Sequence, residues 1–477
     1  MLRALSKDIA VYGLADFAFR FVGLAVFPLY AHALSVEQFG VLALATTLTA
    51  LVGMAANLGT NNAVQRFYWE PGYERREQRE IVSTGLALLI ATAVAAVTAS
   101  VAMAAVMRDV LQARYGIGLI VVICAVLTVL PDQLLQYSLD TVRLHFAPWR
   151  FVIISVLKNL LTTALSLWLV LGLDLGVLGF FVGSLIGGVV AVPVALAVIR
   201  HDLGARVSFV RARQIFQFGY PFVFAGLAYW LLTSMDRWLL AELSDPVQVG
   251  VYAIGARFAA AIFFLNLAFG QAWSPHANKM RRERANYRQL YAAVGASWAF
   301  VLSWAGCALA IFAPEILGVL TPPEYHGAAF PMAVLVMGSV LFGTTQITAI
   351  GISISRKTHL FARATWGIAA LNLILNIVLI PLAGASGAAI ATAISYGVLT
   401  GLYLFWTQRL HPLPLEVSKF VYSMLCCCAG LLLAALSAEG AGAQWIAVKV
   451  LFLVVIFWLA VRLHILQLSD LPVWAHL

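Results

Sequence analysis

Six charged side chains lie where the chain around them is almost wholly apolar: Asp16, Arg20, Lys158, Asp236, Arg237 and Arg257. A charge inside a membrane-crossing helix costs roughly 2.5–3.5 kcal/mol on insertion scales, so it normally faces a bundle interior or water. Asp16 and Arg20 stand four apart, on one helix face, and can pair. Lys158 falls mid-span beside Asn159, Asp236 and Arg237 fall near the end of a span, and Arg257 lies well inside the next one. Lys449 lies close enough to a span end to snorkel. Among the deep charges the basic ones outnumber the acidic. A cavity with surplus cations attracts an anion, and Arg suits bidentate contact with phosphate. The other reading is structural: Asp16–Arg20, and Arg237 with a partner, would be ion pairs that fix helix register. Asn372 and Asn376, four apart, could line a cavity or bond across helices.

The elements that must hold these groups are membrane helices. The 477 residues are 62% hydrophobic and 11% charged, with a mean hydropathy of +0.92, whereas soluble domains are near a quarter charged. Unpaired backbone groups cannot face lipid, so helices are required, and the alternation of a membrane β-barrel is missing. Fourteen candidate spans follow: 9–31, 40–60, 81–107, 116–139, 149–172, 175–199, 215–241, 248–274, 290–312, 328–354, 359–382, 385–408, 415–436 and 443–465. The first apolar run is too long for a cleavable signal peptide and lacks a small-residue cleavage site. If the N-terminus is cytoplasmic, the outer connections carry only Arg108 and Arg114, while the inner ones collect clusters such as Arg75, Arg76 and Arg79. That asymmetry predicts cytoplasmic N- and C-termini, and it accounts for the net charge of +9 without nucleic acid. Prolines 28, 131, 193, 221 and 275 within or beside spans kink helices, for bending or for shape alone.

Enzyme chemistry is not written here. No P-loop is present, so the protein does not itself hydrolyse ATP, and no cofactor is expected. His145, His276, His326 and His359 sit near span ends and make no metal-ligand spacing. The five cysteines, Cys124, Cys307 and Cys426 to Cys428, lie in apolar spans and read as packing residues.

The chain also repeats. Ser35 to Leu44 aligns with Asp245 to Ile254 at an offset of 210, matching Gln38 with Gln248, Gly40 with Gly250, Val41 with Val251 and Ala43 with Ala253. Gln136 pairs with Gln346 at the same offset. The repeat divides the chain into a six-span half at 1–210, a second at 211–410, and two additional spans at 411–477. Six spans return the chain to its starting side, so the halves share orientation.

The run Ser234 to Leu240 followed by Val249 to Ile254 resembles the polysaccharide-transporter branch of the multidrug/oligosaccharidyl-lipid/polysaccharide exporter superfamily. So do Glu37 to Leu44, Arg66-Phe67-Tyr68 and Gly219-Tyr220-Pro221. The likeness covers essentially the whole chain through short, hydrophobic motifs. It implies an all-α polytopic protein with two six-helix lobes in a V-like arrangement plus two C-terminal helices. It implies a flippase of O-antigen or exopolysaccharide synthesis in the bacterial inner membrane. The substrate would be an undecaprenyl-diphosphate-linked oligosaccharide, with membrane lipid as its setting and a polysaccharide polymerase and chain-length regulator as partners. Related flippases use arginines in the first, second and eighth spans, and Arg20, Arg66 and Arg257 correspond by location. Lys158 joins them as a substrate-binding candidate, and Asp16, Asp236 and Arg237 are candidates for coupling or gating. Two other readings stand: a cation-coupled multidrug exporter of the same superfamily, and a membrane polysaccharide polymerase or ligase.

Overall fold

A computed structural model describes residues 22–70, 72–145, 147–204, 206–436 and 443–465. Asp16 and Arg20 lie outside the described residues. The chain forms two compact units, Met1–Ser234 and Met235–Leu477, and among the described residues only helices, turns and loops occur.

In unit 1, α1 is described over Val22–Ala33. It is followed by α2 (Val36–Asn57), α3 (Thr60–Tyr68), α4 (Arg75–Val106), α5 (Arg108–Tyr115), α6 (Leu119–Leu127), α7 (Val129–Leu144), α8 (Pro148–Leu167) and α9 (Gly176–Ile199). Helix α10 (Phe209–Leu243) starts in unit 1 and ends in unit 2. Unit 2 continues with α11 (Pro246–Glu283), α12 (Tyr287–Ile311), α13 (Ala313–Leu320), α14 (Ala329–Gly343), α15 (Thr345–Thr348), α16 (Ile350–Ile354), α17 (His359–Leu410), α18 (Val417–Leu436) and α19 (Ala443–Arg462).

Twelve helices among the described residues are long and apolar enough to cross a membrane, so this is a multi-pass membrane protein. Fourteen is therefore not the number that the described residues show. Most of the first expected span lies outside them. Two other expected spans, 359–382 and 385–408, form the single 52-residue α17. At about 1.5 Å per residue α17 far exceeds one crossing of a ~30 Å hydrocarbon layer. Its helical geometry breaks at Ala383 (φ −144°) and Gly384 (φ 51°), just after Pro381. Pro381 cannot donate to the helix ladder and Gly384 tolerates the left-handed region, so the sequence itself supplies the break.

Lipid tails are as apolar as leucine, so these helices associate through close packing rather than water exclusion. The contact of α8 with α9 shows how: a Cβ on Gly183 would sit 2.4 Å from the Ser166 backbone, and one on Gly187 2.7 Å from that of Thr162. Ser166 adds Oγ contacts to the Phe180 carbonyl at 2.9 Å and to Ser184 at 3.1 Å. In unit 2, Asn372 bonds across the two arms of α17 and Asn376 supports it from the same arm. Asn372 donates to Ser395 Oγ at 3.2 Å, and Asn376 donates to the Asn372 side chain at 3.0 Å. Both asparagines are buried. All five cysteines are free thiols, and Cys307 donates to the Cys426 carbonyl at 3.2 Å, joining α12 to α18.

The repeated hairpin has one local geometry in both units. Ser35 caps α2 by accepting from the Gln38 amide, and Asp245 caps α11 by accepting from the Gln248 amide. Each cap satisfies a backbone donor that the first helical turn leaves open. The glutamine of each hairpin then faces a left-handed glycine. Gln38 lies against Gly176 (φ 54°), which opens α9, and Gln248 lies against Gly384 (φ 51°), with its Oε1 accepting from Ala385 N at 3.0 Å.

Candidate functional site

The charges of unit 1 gather along α7. Asp132, Gln133, Gln136, Asp140 and Arg143 recur every three or four residues, which places a polar band along the helix. The chain opposite it bends where Leu58 (φ 46°) and Gly59 (φ 70°) end α2 and start α3. Asn57 and Asn61, on either side of that bend, both reach α7. Asn57 donates to Gln133 at 3.1 Å and Asn61 to the Asp140 carboxylate at 2.7 Å. Asp140 also receives Gln136 at 3.2 Å and Arg143 at 3.2 Å, so a buried carboxylate is surrounded by donors. One turn before Gln136 in the same band, Asp132 pairs with Lys158 of α8 at 2.8 Å. Lys158 thus has a protein counter-ion. Arg66 lies near the end of α3, 55% exposed, and pairs with Glu70 at 2.7 Å.

The charges of unit 2 are arranged differently. Asp236, near the end of α10, is 2% exposed. Tyr252 of α11 donates its hydroxyl to that carboxylate and contacts Thr392 Oγ1 of α17 at 3.4 Å. Arg237 approaches the same carboxylate at 3.4 Å and places its guanidinium 5.6 Å from the Tyr252 ring centre. Groups of α10 and α11 therefore meet on one carboxylate, and α17 joins them through the Tyr252 hydroxyl. A charge taken from water survives only where donors replace its hydration, and Tyr252 and Arg237 supply them.

Lys449 corrects an expectation. Instead of snorkelling to a span end it is completely buried, and its ammonium lies 2.5 Å from Glu315 Oε1 of α13. The reason is the partner: a neighbouring carboxylate offsets part of the desolvation cost that snorkelling would avoid. The Phe312 ring, 5.7 Å from the ammonium, adds a second favourable contact.

Arg257 stands apart from these buried centres. It is the twelfth residue of α11 and belongs to an exposed face continued by Leu265, Ala268 and Gln271. The opposite face buries Ile254, Phe258, Ile262, Asn266, Phe269 and Trp273. A guanidinium exposed this deep in a membrane span must meet water or polar groups rather than hydrocarbon, which would cost too much. The arrangement brings Asp236 and Arg237 together. Arg66 and Lys158 are on separate elements of unit 1, each paired with a carboxylate.

Sequence reasoning missed Tyr252 and Thr392 as the partners of Asp236, Asn61 as the partner of Asp140, and Glu315 as that of Lys449. Tyr252 lies in the hairpin repeat, where Leu42 stands at the corresponding position. That departure from the repeat was a usable signal. Glu315 carried none, since it falls between expected spans. No group of three or more His, Cys, Asp or Glu among the described residues could hold a metal ion.

Residues 29–330 match the family model of the polysaccharide biosynthesis proteins. A relative from Haloferax volcanii, the probable low-salt glycan biosynthesis flippase Agl15, is 24% identical over 416 residues, covering 86% of this chain and 83% of its own. Among solved structures, the lipid II flippase MurJ in its inward closed conformation matches with a TM-score of 0.73 at 16% identity, over 95% of this chain and 98% of that one. An inward-facing multidrug resistance MATE family transporter of the MOP superfamily matches with a TM-score of 0.59 at 16% identity, over 84% of this chain and 94% of the other. The structural likenesses show a shared fold. The family model covers well over half of the chain, and the chain belongs to that family of polysaccharide biosynthesis proteins. It is a multi-pass membrane protein of a polysaccharide-biosynthesis family.

Proposed function

We propose that this protein flips an undecaprenyl-diphosphate-linked oligosaccharide repeat unit from the cytoplasmic to the periplasmic leaflet of the bacterial inner membrane, for O-antigen or exopolysaccharide synthesis. Transport runs by alternating access of two six-helix halves, 1–210 and 211–410, with 411–477 as an addition and both termini cytoplasmic. The observation that carries this reading is Arg257, a guanidinium exposed in mid-span on a largely apolar helix. A lipid-linked sugar presents the matching anion, a diphosphate, and a guanidinium binds phosphate oxygens through two parallel donors. Carboxylates within or beside the spans are engaged by basic or hydroxyl groups of the protein: Asp132 by Lys158, Asp140 by Arg143, Asp236 by Tyr252 and Glu315 by Lys449.

Arg20 supplies a second cation to the diphosphate in this reading, while Arg66 and Lys158 assist from unit 1, where the substrate must compete with Glu70 and Asp132. The Asp236–Arg237–Tyr252 centre acts in gating, since breaking it would release α10, α11 and α17 from one another; Asp16 is the candidate for coupling. The polymerase and chain-length regulator receive the product. Support comes from the family, whose members belong to polysaccharide biosynthesis, and from the relative that is itself a probable glycan flippase.

The test is an Arg257→Ala strain. Surface polysaccharide should disappear and lipid-linked repeat units should accumulate, while the protein remains at wild-type level in the membrane. Arg257→Lys keeps the charge but loses the bidentate fork, and should recover only part of the product. Normal polysaccharide in Arg257→Ala would overturn the role of this residue.

A further inference from the structure

A second basic site lies at the end of unit 1 where α4 begins, distant in sequence from Arg257. Arg75, Arg76, Arg79, Glu80, Gly204 and Arg206 line a cavity of about 430 Å³. Four guanidinium groups and one carboxylate give it a net positive charge. Its walls are tied together. Arg79 donates through Nε at 3.0 Å and Nη2 at 2.5 Å to the Leu203 carbonyl. Ser83 accepts from Gly204 N at 2.6 Å and donates to the Gly204 carbonyl at 3.1 Å. Ser208 N donates to Thr84 Oγ1 at 3.1 Å, so the loop after α9 is strapped to α4 over several residues. Beside it Arg211 hydrogen-bonds the Tyr73 hydroxyl and lies 4.7 Å from the centre of that ring.

Arg75, Arg76 and Arg206 form no ion pair among the described residues, unlike Arg66, Arg143 and Lys158 of the same unit. Three like charges held beside one cavity repel one another, and an anion placed among them relieves that repulsion. The cavity opens within two helical turns of Ile81, where the apolar run of α4 starts. That is the level of lipid head groups, where basic residues meet anionic surfaces. Guanidinium forks match phosphate oxygens better than they match a sugar hydroxyl or a single carboxylate.

We propose that this cavity binds the phosphoryl group of an anionic phospholipid or of a soluble phosphate compound, with Arg75, Arg76 and Arg206 as its ligands. Arg79 is the positioning residue that holds the Leu203–Gly204 wall. The site is independent of Arg257 and of the substrate assigned to it.

The test uses the purified full chain with Arg75, Arg76 and Arg206 all changed to Gln, leaving Arg79 in place. In nanodiscs containing phosphatidylcholine and phosphatidylglycerol, native mass spectrometry counts the anionic lipid retained. In detergent, inorganic phosphate and pyrophosphate are titrated while thermal unfolding is followed. Each juxtamembrane Arg is worth roughly fivefold in affinity for an anionic surface, so losing three should weaken retention by about 100-fold. Phosphatidylglycerol retained by the wild type alone identifies a lipid site. Stabilisation of the wild type alone by phosphate or pyrophosphate, with no lipid preference, identifies a soluble one. Equal retention and equal stabilisation in wild type and variant overturn the proposal. Unfolding in pure phosphatidylcholine checks the fold of the variant. If that fails, Arg76→Gln alone is measured in its place and should lose about fivefold.

Discussion

Gln38 faces a left-handed Gly176 in unit 1, and Gln248 faces a left-handed Gly384 in unit 2. Yet the charges built around this shared turn do not correspond. Unit 1 threads polar groups along α7, from the half-exposed Asp132–Lys158 pair to Asp140 with its three donors. Unit 2 concentrates charge in two centres, the closed Asp236–Tyr252–Thr392 and the partly exposed Lys449–Glu315, and leaves Arg257 exposed. At the positions offset by 210 from Asp236 and Tyr252, unit 1 has Val26 and Leu42. The lesson is that a repeat preserves backbone requirements, here a cap and a glycine, while ionisable groups diverge between copies. Groups present in one copy alone are the better places to look for function.

Lys449→Ala should have the largest effect on this contrast. It leaves Glu315, whose side chain is 28% exposed, without its cation; removing one partner of a buried pair costs about 3–5 kcal/mol, and the partial exposure of Glu315 puts the loss at the low end. The thermal midpoint of the purified protein should fall steeply, and the double change Lys449→Met with Glu315→Leu should recover most of it. A wild-type midpoint for Lys449→Ala would mean that the pair does not stabilise the fold. Next is Tyr252→Phe, which removes one donor from a buried carboxylate at a cost of about 1.5–3 kcal/mol. The comparison sharpens if Tyr137→Phe, which loses only a bond of 2.6 Å to the neutral Val82 carbonyl, costs less in the same unfolding assay.

The shared turn makes a smaller, paired prediction. Alanine in the left-handed region costs about 1–2 kcal/mol, so Gly176→Ala and Gly384→Ala should both destabilise. Gly384→Ala should cost more, because its Cβ would sit 2.6 Å from Gln248 Oε1, against 3.3 Å from Gln38 Nε2 at Gly176. Equal midpoints would show that the two turns are interchangeable.

The smallest effect concerns two histidines near helix ends. His145 of unit 1 lies 2.8 Å from the Asp202 carboxylate, whereas His411 of unit 2 meets the Tyr287 hydroxyl at 3.2 Å. Burial, with Arg288 and Arg281 nearby, holds His411 below the ordinary imidazole value of 6.5. A depressed folded-state value favours the neutral ring. Its contribution is therefore present above about pH 6.5 and is lost as pH falls through the folded-state value. His411→Gln should flatten the acid side of the stability profile slightly, and an unchanged slope would exclude this group as its source.

Much of this was legible in the sequence because membrane spans are long and hairpin caps are local. The ends of α8, α11 and α12 lie within a few residues of their expected positions, apart from the C-terminal extension of α11. The caps at Ser35 and Asp245 are carried by residues three apart. What escaped were partners distant along the chain. Lys449 and Glu315 are 134 residues apart, and Tyr252 and Thr392 are 140 apart. Periodicity says which face a residue occupies but not which helix covers it. Hence Lys449 read as a snorkelling residue, and the partner of Asp236 on α11 went unseen. The exposure of Arg257 was likewise invisible, since α11 is apolar around most of its circumference.

The most direct test of the account is movement of a lipid-linked sugar by the purified protein. The full chain is reconstituted into vesicles carrying an undecaprenyl-diphosphate oligosaccharide labelled on its sugar, and the label exposed on the outer leaflet is followed with time. Wild-type protein should transfer label between leaflets, Arg257→Ala should not, and Tyr137→Phe should behave as wild type. Equal rates for wild type and Arg257→Ala, or no movement by wild-type protein of confirmed fold, would contradict the account.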